Sequence, residues 1–68
     1  MEYKKNDIVL SSSKWSNGKE GFVHRVYEYG VSVNFGTKEK TNYEVFHFKP
    51  THHMQTNINC LELIKTTP

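Results

Sequence analysis

The residues of this sequence with the most chemistry to offer are cations interleaved with aromatic rings. Lys14, Trp15 and Lys19 share one polar stretch, Lys38 and Lys40 share another, and Arg25, Tyr27 and Tyr29 follow one another at alternate positions. Lysine and arginine neutralise phosphates, while tryptophan and tyrosine stack on bases or pack on sugars, so the combination points to nucleic acid. Glu20, Glu28, Glu39 and Glu44 dilute the positive field. The plain alternative is that the lysines only solvate the surface and that Trp15 plugs the core.

Other reactive side chains suggest less. His52 and His53 are neighbours, with His24 and His47 elsewhere. Adjacent histidines on a loop diverge, and a zinc site would need two more ligands in a tetrahedral array that no spacing here demands, so no metal is expected. Ser11, Ser12 and Ser13 offer hydroxyls, but no histidine and aspartate are placed by a nucleophile elbow. A chain of 68 residues has little room for a deep pocket. The expectation is a non-catalytic protein without a cofactor. Trp15, Tyr27, Tyr29, Tyr43 and Phe35 are rings enough for a cation–π box around a methylated lysine, yet no spacing singles out a cage.

Composition bounds the scaffold that must carry these groups. Sixty-eight residues make one domain with a small core. Hydrophobic residues are 35% of the chain and aromatic ones 13%, so a few rings carry much of the packing. The net charge of +2 permits nucleic-acid binding without requiring it. The single cysteine, Cys60, excludes an intrachain disulfide and a Cys-x-x-Cys metal site, and lies in an apolar run where it reads as a small core residue. Without a disulfide staple, a signal-like apolar run after Met1 or a span of membrane length, the expected location is the cytoplasm.

The elements read as short strands. Residues 1–6 and 65–68 are polar and expected to fray. Strand one is expected over 7–10 and is followed by a long Ser/Asn/Gly loop. Strand two is expected over 20–29, with Gly21 marking a bulge or a close approach of another backbone. Val23 and Val26 are three apart, so both face one side only if a bulge or strong bend intervenes. Gly30 is expected to take a positive φ in a hairpin turn. Strand three, 31–35, alternates Val31, Val33 and Phe35 inward with Ser32 and Asn34 outward. Strand four, 43–49, is read with Phe46 and Phe48 inward and Tyr43, Val45 and His47 on an outer or partly covered face. Pro50 stops it, and residues 58–64 form the last strand, entered through a short 3₁₀ turn. The fold class is therefore all-β, with five strands.

This pattern resembles the KOW motif and its SH3-like (Tudor-like) barrel relatives. Asn6-Asp7-Ile8-Val9 stands where those domains start with Gly-Asp-x-Val, and Asn6, like glycine, tolerates the left-handed region. Gly18 and Gly21 hold the Gly-x-x-Gly spacing, and Val23 and Val26 the apolar pair that follows. Phe48-Lys49-Pro50 and Leu61-Glu62-Leu63-Ile64 look like the closing strands. The resemblance implies a five-stranded SH3-like barrel spanning the chain. It also implies a partner among DNA, structured RNA, ribosomal protein or RNA polymerase, and, at this size, a phage or plasmid protein. One barrel enzyme, the plasmid-borne type of dihydrofolate reductase, carries Val-Gln-Ile-Tyr in its fourth strand; the comparable Glu44-Val45-Phe46-His47 lacks the glutamine and the tyrosine. The expected function is a nucleic-acid-binding module using Lys14, Trp15, Lys19, Arg25, Tyr27, Tyr29, Lys38 and Lys40. The alternative is a protein-interaction module docking on the transcription or translation machinery of a host, and either could be monomer or homodimer.

Overall fold

A computed structural model describes residues 3–68. The chain is all-β and forms one six-stranded sheet curled into a half barrel. The strands are β1 (Ile8–Ser11), β2 (Glu20–Val26), β3 (Gly30–Asn34), β4 (Tyr43–His47), β5 (Thr56–Asn57) and β6 (Leu61–Lys65), in the spatial order β5-β4-β3-β2-β1-β6. Neighbours are antiparallel except β4 and β5, which run parallel. Strands β5 and β6 lie at opposite ends of this order, yet only the 3₁₀ turn Ile58–Cys60 separates them in sequence. Three residues of 3₁₀ helix rise only about 6 Å. The two edges of the sheet are therefore drawn together, which is what curls it. The sixth strand is the departure from the expected five: the two-residue β5 is too short to show any alternation.

The inner face of the curl holds the core. Val9, Val23, Val31, Val33 and Phe46 are fully buried, with Tyr3 and Leu61 beside them and Phe35, Ile58, Cys60 and Leu63 packed against the cluster. Gly21 serves as a point of close approach: a β-carbon there would lie 2.7 Å from the Phe35 ring and 2.8 Å from the Asn34 carbonyl. The valine pair is resolved by a bulge. Val23 pairs with Val33 and Val26 with Val31, so three residue steps on β2 face two on β3. Val26 is thereby returned to the inner side, although at the open strand end it stays 44% exposed.

Several expectations are corrected. Strand β2 ends at Val26 rather than near Tyr29. Phe48 lies beyond the end of β4 and is 40% exposed, so Phe46 is the one apolar side chain that this strand turns inward. Ser32 and Asn34 are buried although they point away from Val31 and Val33. The central position of β3 explains Ser32, which has Arg25 and Val45 as cross-strand neighbours on its own face. Asn34 is enclosed by the loop it organises: its Oδ1 accepts from the N–H groups of Gly36 (2.8 Å) and Asn42 (3.0 Å). Gly30 does not take a positive φ; its β-carbon would collide with the Phe46 carbonyl, so close strand packing is what requires glycine. Asn6 does adopt the left-handed region, with φ 74°.

The chain ends are tied down rather than frayed over the described residues; the expectation for Met1 and Glu2 lies outside them. Tyr3 packs in the core, and burial pushes its phenol up from its ordinary pKa. Asp7 is a clasp between the two ends. Its carboxylate accepts from the backbone N–H of Thr67 (2.7 Å) and of Lys4 (2.8 Å). The Thr67 bond first, then that of Lys4, holds the Asp7 pKa below the usual carboxylate range. A depressed folded-state pKa means that the clasp stabilises fully above the unfolded value of about 4 and is lost as pH falls through the folded one. Urea midpoints measured from pH 6 down to pH 2 should therefore fall more steeply below pH 4 for the wild type than for Asp7→Asn. Parallel curves would remove the clasp from the account.

Candidate nucleic-acid interface

Because β2, β3 and β4 are antiparallel, residues opposite one another point to the same face. The pairs Val23–Val33, Val33–Glu44 and Val31–Phe46 belong to the core side. The pairs Phe22–Asn34, Asn34–Tyr43, Arg25–Ser32 and Ser32–Val45 belong to the other side. The outer face thus presents Phe22, Arg25, Tyr43 and Val45, with His47 following on β4. His24 occupies the bulge, and its ring lies 4.6 Å from that of Tyr43.

Two hollows lie on this face. One, of about 380 Å³, is bordered by Phe22, His24 and Tyr43, with Lys5 and Lys38 also on its lining. The other, of about 650 Å³, lies beyond the β2–β3 turn and is bordered by Tyr29, His47 and Phe48. Tyr29 has two ring neighbours: Tyr27 is stacked on it at 5.0 Å and 8°, and His47 lies 5.7 Å away. Tyr43 and His47, one at each hollow, are four residues apart on one strand, a separation of about 13 Å. Arg25 lies across the middle. The result is a run of rings with cations at its margins, able to stack on bases and to neutralise phosphates.

The eight residues singled out by type are thereby divided. Arg25, Tyr27, Tyr29 and Lys38 border the outer face. Lys14, Trp15 and Lys19 lie on the β1–β2 loop, and Lys40 lies in the exposed β3–β4 loop. Trp15 is 58% exposed and does not plug the core; the Lys14 ammonium sits 4.8 Å from its ring centroid. Phe22, His24, Tyr43, Val45 and His47 were not among the eight. The outward phase of β4, where a tyrosine, a valine and a histidine alternate, could have found Tyr43, Val45 and His47; Phe22 and His24 join them only through the β2–β3 register and its bulge.

The β1–β2 loop is held by a polar knot. The Glu44 carboxylate accepts from the hydroxyls of Ser16 (2.7 Å) and Ser13 (2.8 Å), and from that of Thr56 at 3.3 Å. Ser16 Oγ and Ser11 Oγ share a hydrogen bond at 2.6 Å, in which Ser11 is left to donate, and the Ser13 N–H donates to Ser11 Oγ at 3.1 Å. All three serines are buried. Glu44 is thus the acceptor that permits buried hydroxyls beside the core. It also fixes the loop that displays Lys14 and Trp15. Glu44→Ala would strand these donors at a cost of about 1–3 kcal/mol and release the loop. Trp15 is the only tryptophan, so its fluorescence anisotropy reports the release directly: it should fall in Glu44→Ala while the far-ultraviolet β signal persists. Unchanged anisotropy would mean that the knot does not hold the loop.

Asp7 and Glu44 direct their carboxylates into amide and hydroxyl donors rather than onto the outer face. Glu28 is the acid that borders the larger hollow. Among the described residues no three His, Cys, Asp or Glu side chains are grouped to hold a metal ion, and no helix is long and apolar enough to cross a membrane. Comparison with protein-family models, curated proteins and solved structures finds no match to this chain.

Proposed function

We propose that this protein is a non-catalytic nucleic-acid-binding module, and that the outer face of β2, β3 and β4 is its interface. The observation that carries the reading is the run of rings from Phe22, His24 and Tyr43 to His47 and Tyr29, flanked by Arg25, Lys5 and Lys38. Rings supply sequence-tolerant stacking and cations supply the salt-dependent attraction to phosphates. A chain with nine basic and seven acidic side chains needs its cations concentrated to bind a polyanion, and this face concentrates several of them. Completion of the half barrel into an SH3-like, KOW-type barrel is part of the same proposal. Its supports are the short 3₁₀ link between the two sheet edges and the left-handed Asn6 ahead of β1.

Fluorescence-anisotropy titration at low salt with labelled DNA duplex, single-stranded DNA and hairpin RNA tests the reading. Binding is expected to at least one of them, with affinity falling linearly on a log–log plot against salt. Absence of binding to all three would overturn it. Capture of RNA polymerase or ribosomal protein from a nuclease-treated bacterial lysate would then favour the protein-docking alternative.

A further inference from the structure

The larger hollow has features that the rest of the face lacks. Its walls are Tyr29 and Phe48, both well exposed, and the His47 ring lies 5.7 Å from that of Tyr29. Phe48 is held there by its backbone, whose N–H donates to the Tyr29 carbonyl at 3.0 Å. Gln55 lines the same hollow. Its Oε1 accepts from the Thr51 N–H at 2.8 Å, which fixes the amide and leaves its NH₂ group as a donor. Lys49 stands at the rim.

Resting on the nucleic-acid reading, we infer that this hollow receives one unpaired nucleobase. The base would stack on Tyr29 or Phe48, Gln55 would donate to a carbonyl or ring nitrogen on its edge, and Lys49 would meet an adjoining phosphate. A methylated lysine is a poorer fit. Tyr27 already covers one face of Tyr29 at 8°, which leaves that ring a single face to offer, and Lys49 would repel a cation. A paired base is a poorer fit as well, because its faces are stacked on its neighbours and closed to Tyr29 and Phe48. The ligand class is therefore single-stranded DNA or RNA, or the loop or bulge of a structured RNA.

A ten-nucleotide single strand and the blunt duplex of the same sequence, titrated against the wild type and against Phe48→Ala, provide the test. Phe48 lies outside the strands and partly in solvent, so the variant should fold, which circular dichroism checks. The single strand is expected to bind more tightly than the duplex. Phe48→Ala is expected to weaken single-strand binding about 5-fold or more, the lower end of the loss of one base stack, and to leave duplex binding nearly unchanged. Upfield ring-current shifts of base protons on titration with uridine and adenosine monophosphates, lost in Phe48→Ala, would support the same site. Duplex binding as tight as single-strand binding, or an unaltered Phe48→Ala, would overturn the inference while leaving the wider interface standing. Binding of neither oligonucleotide would overturn the inference, and absence of binding to the hairpin RNA as well would overturn both.

Discussion

Phe46→Ala is expected to leave this chain largely unfolded at 25 °C, whereas Phe48→Ala is expected to fold. Phe46 is fully buried, meets the Phe35 ring edge-on at 6.1 Å, and shares the core with Val31, its cross-strand partner. Truncating a buried phenylalanine costs about 3–5 kcal/mol. The single core of a domain of 68 residues supplies only about 3–5 kcal/mol of net stability. No disulfide offsets the loss, since Cys60 is the single cysteine. Phe48, two residues on, is 40% exposed and outside the sheet, so its truncation removes only a partial burial. Urea unfolding followed by circular dichroism distinguishes the two. Equal destabilisation would mean that both phenylalanines serve the core.

The second large effect concerns binding. Tyr43→Ala is expected to weaken nucleic-acid affinity about 5- to 150-fold, the range for loss of one base–aromatic stack. Tyr43 is 48% exposed and supports the His24 ring at 4.6 Å, so the substitution removes one stacking surface and loosens another without opening the core. Arg25→Glu should act differently, weakening binding across sequences and reducing the slope of log affinity against log salt by about 1. Lys14→Glu with Lys19→Glu, on the β1–β2 loop, should weaken binding less than Arg25→Glu with Tyr43→Ala. Lys65→Glu, on β6 at the far end of the sheet order, should change little. Titrations of these five variants at two salt concentrations establish the order. A loop variant more damaging than the face variant would move the interface to Trp15.

Much of the fold was legible because it depends on neighbours in sequence. The Val31/Val33 alternation, Gly21 as a point of close approach and the Val23–Val26 bulge all follow from the two-residue period of a strand. What was not legible depends on partners far along the chain. The serines of residues 11–16 read as loop formers, and nothing local says that two of them, Ser13 and Ser16, donate to a glutamate some thirty positions away. Tyr3 looked like part of a fraying end because its contact, the Leu61 carbonyl, is 58 residues distant. Phe48 read as core because phenylalanine at an alternating position normally is, yet the strand ends at His47, before the period can place it. The site was legible in the same measure. Arg25, Tyr27, Tyr29 and Lys38 could be picked out by type, but it takes the sheet register to set Arg25 on a face with Tyr43 and His47, and distant ring and loop contacts to bring Tyr27, Tyr29 and Lys38 beside them, while the Lys14–Trp15 loop is tied to Glu44 on the core side.

Amide chemical-shift mapping of the ¹⁵N-labelled protein, titrated at low salt with the tightest-binding oligonucleotide, locates the contact surface residue by residue. The largest shifts should fall on Phe22, His24, Arg25, Tyr29, Tyr43, Val45 and His47. Shifts confined to the β1–β2 loop or to β6, or none at saturating oligonucleotide, would contradict the assignment of the outer face as a nucleic-acid interface.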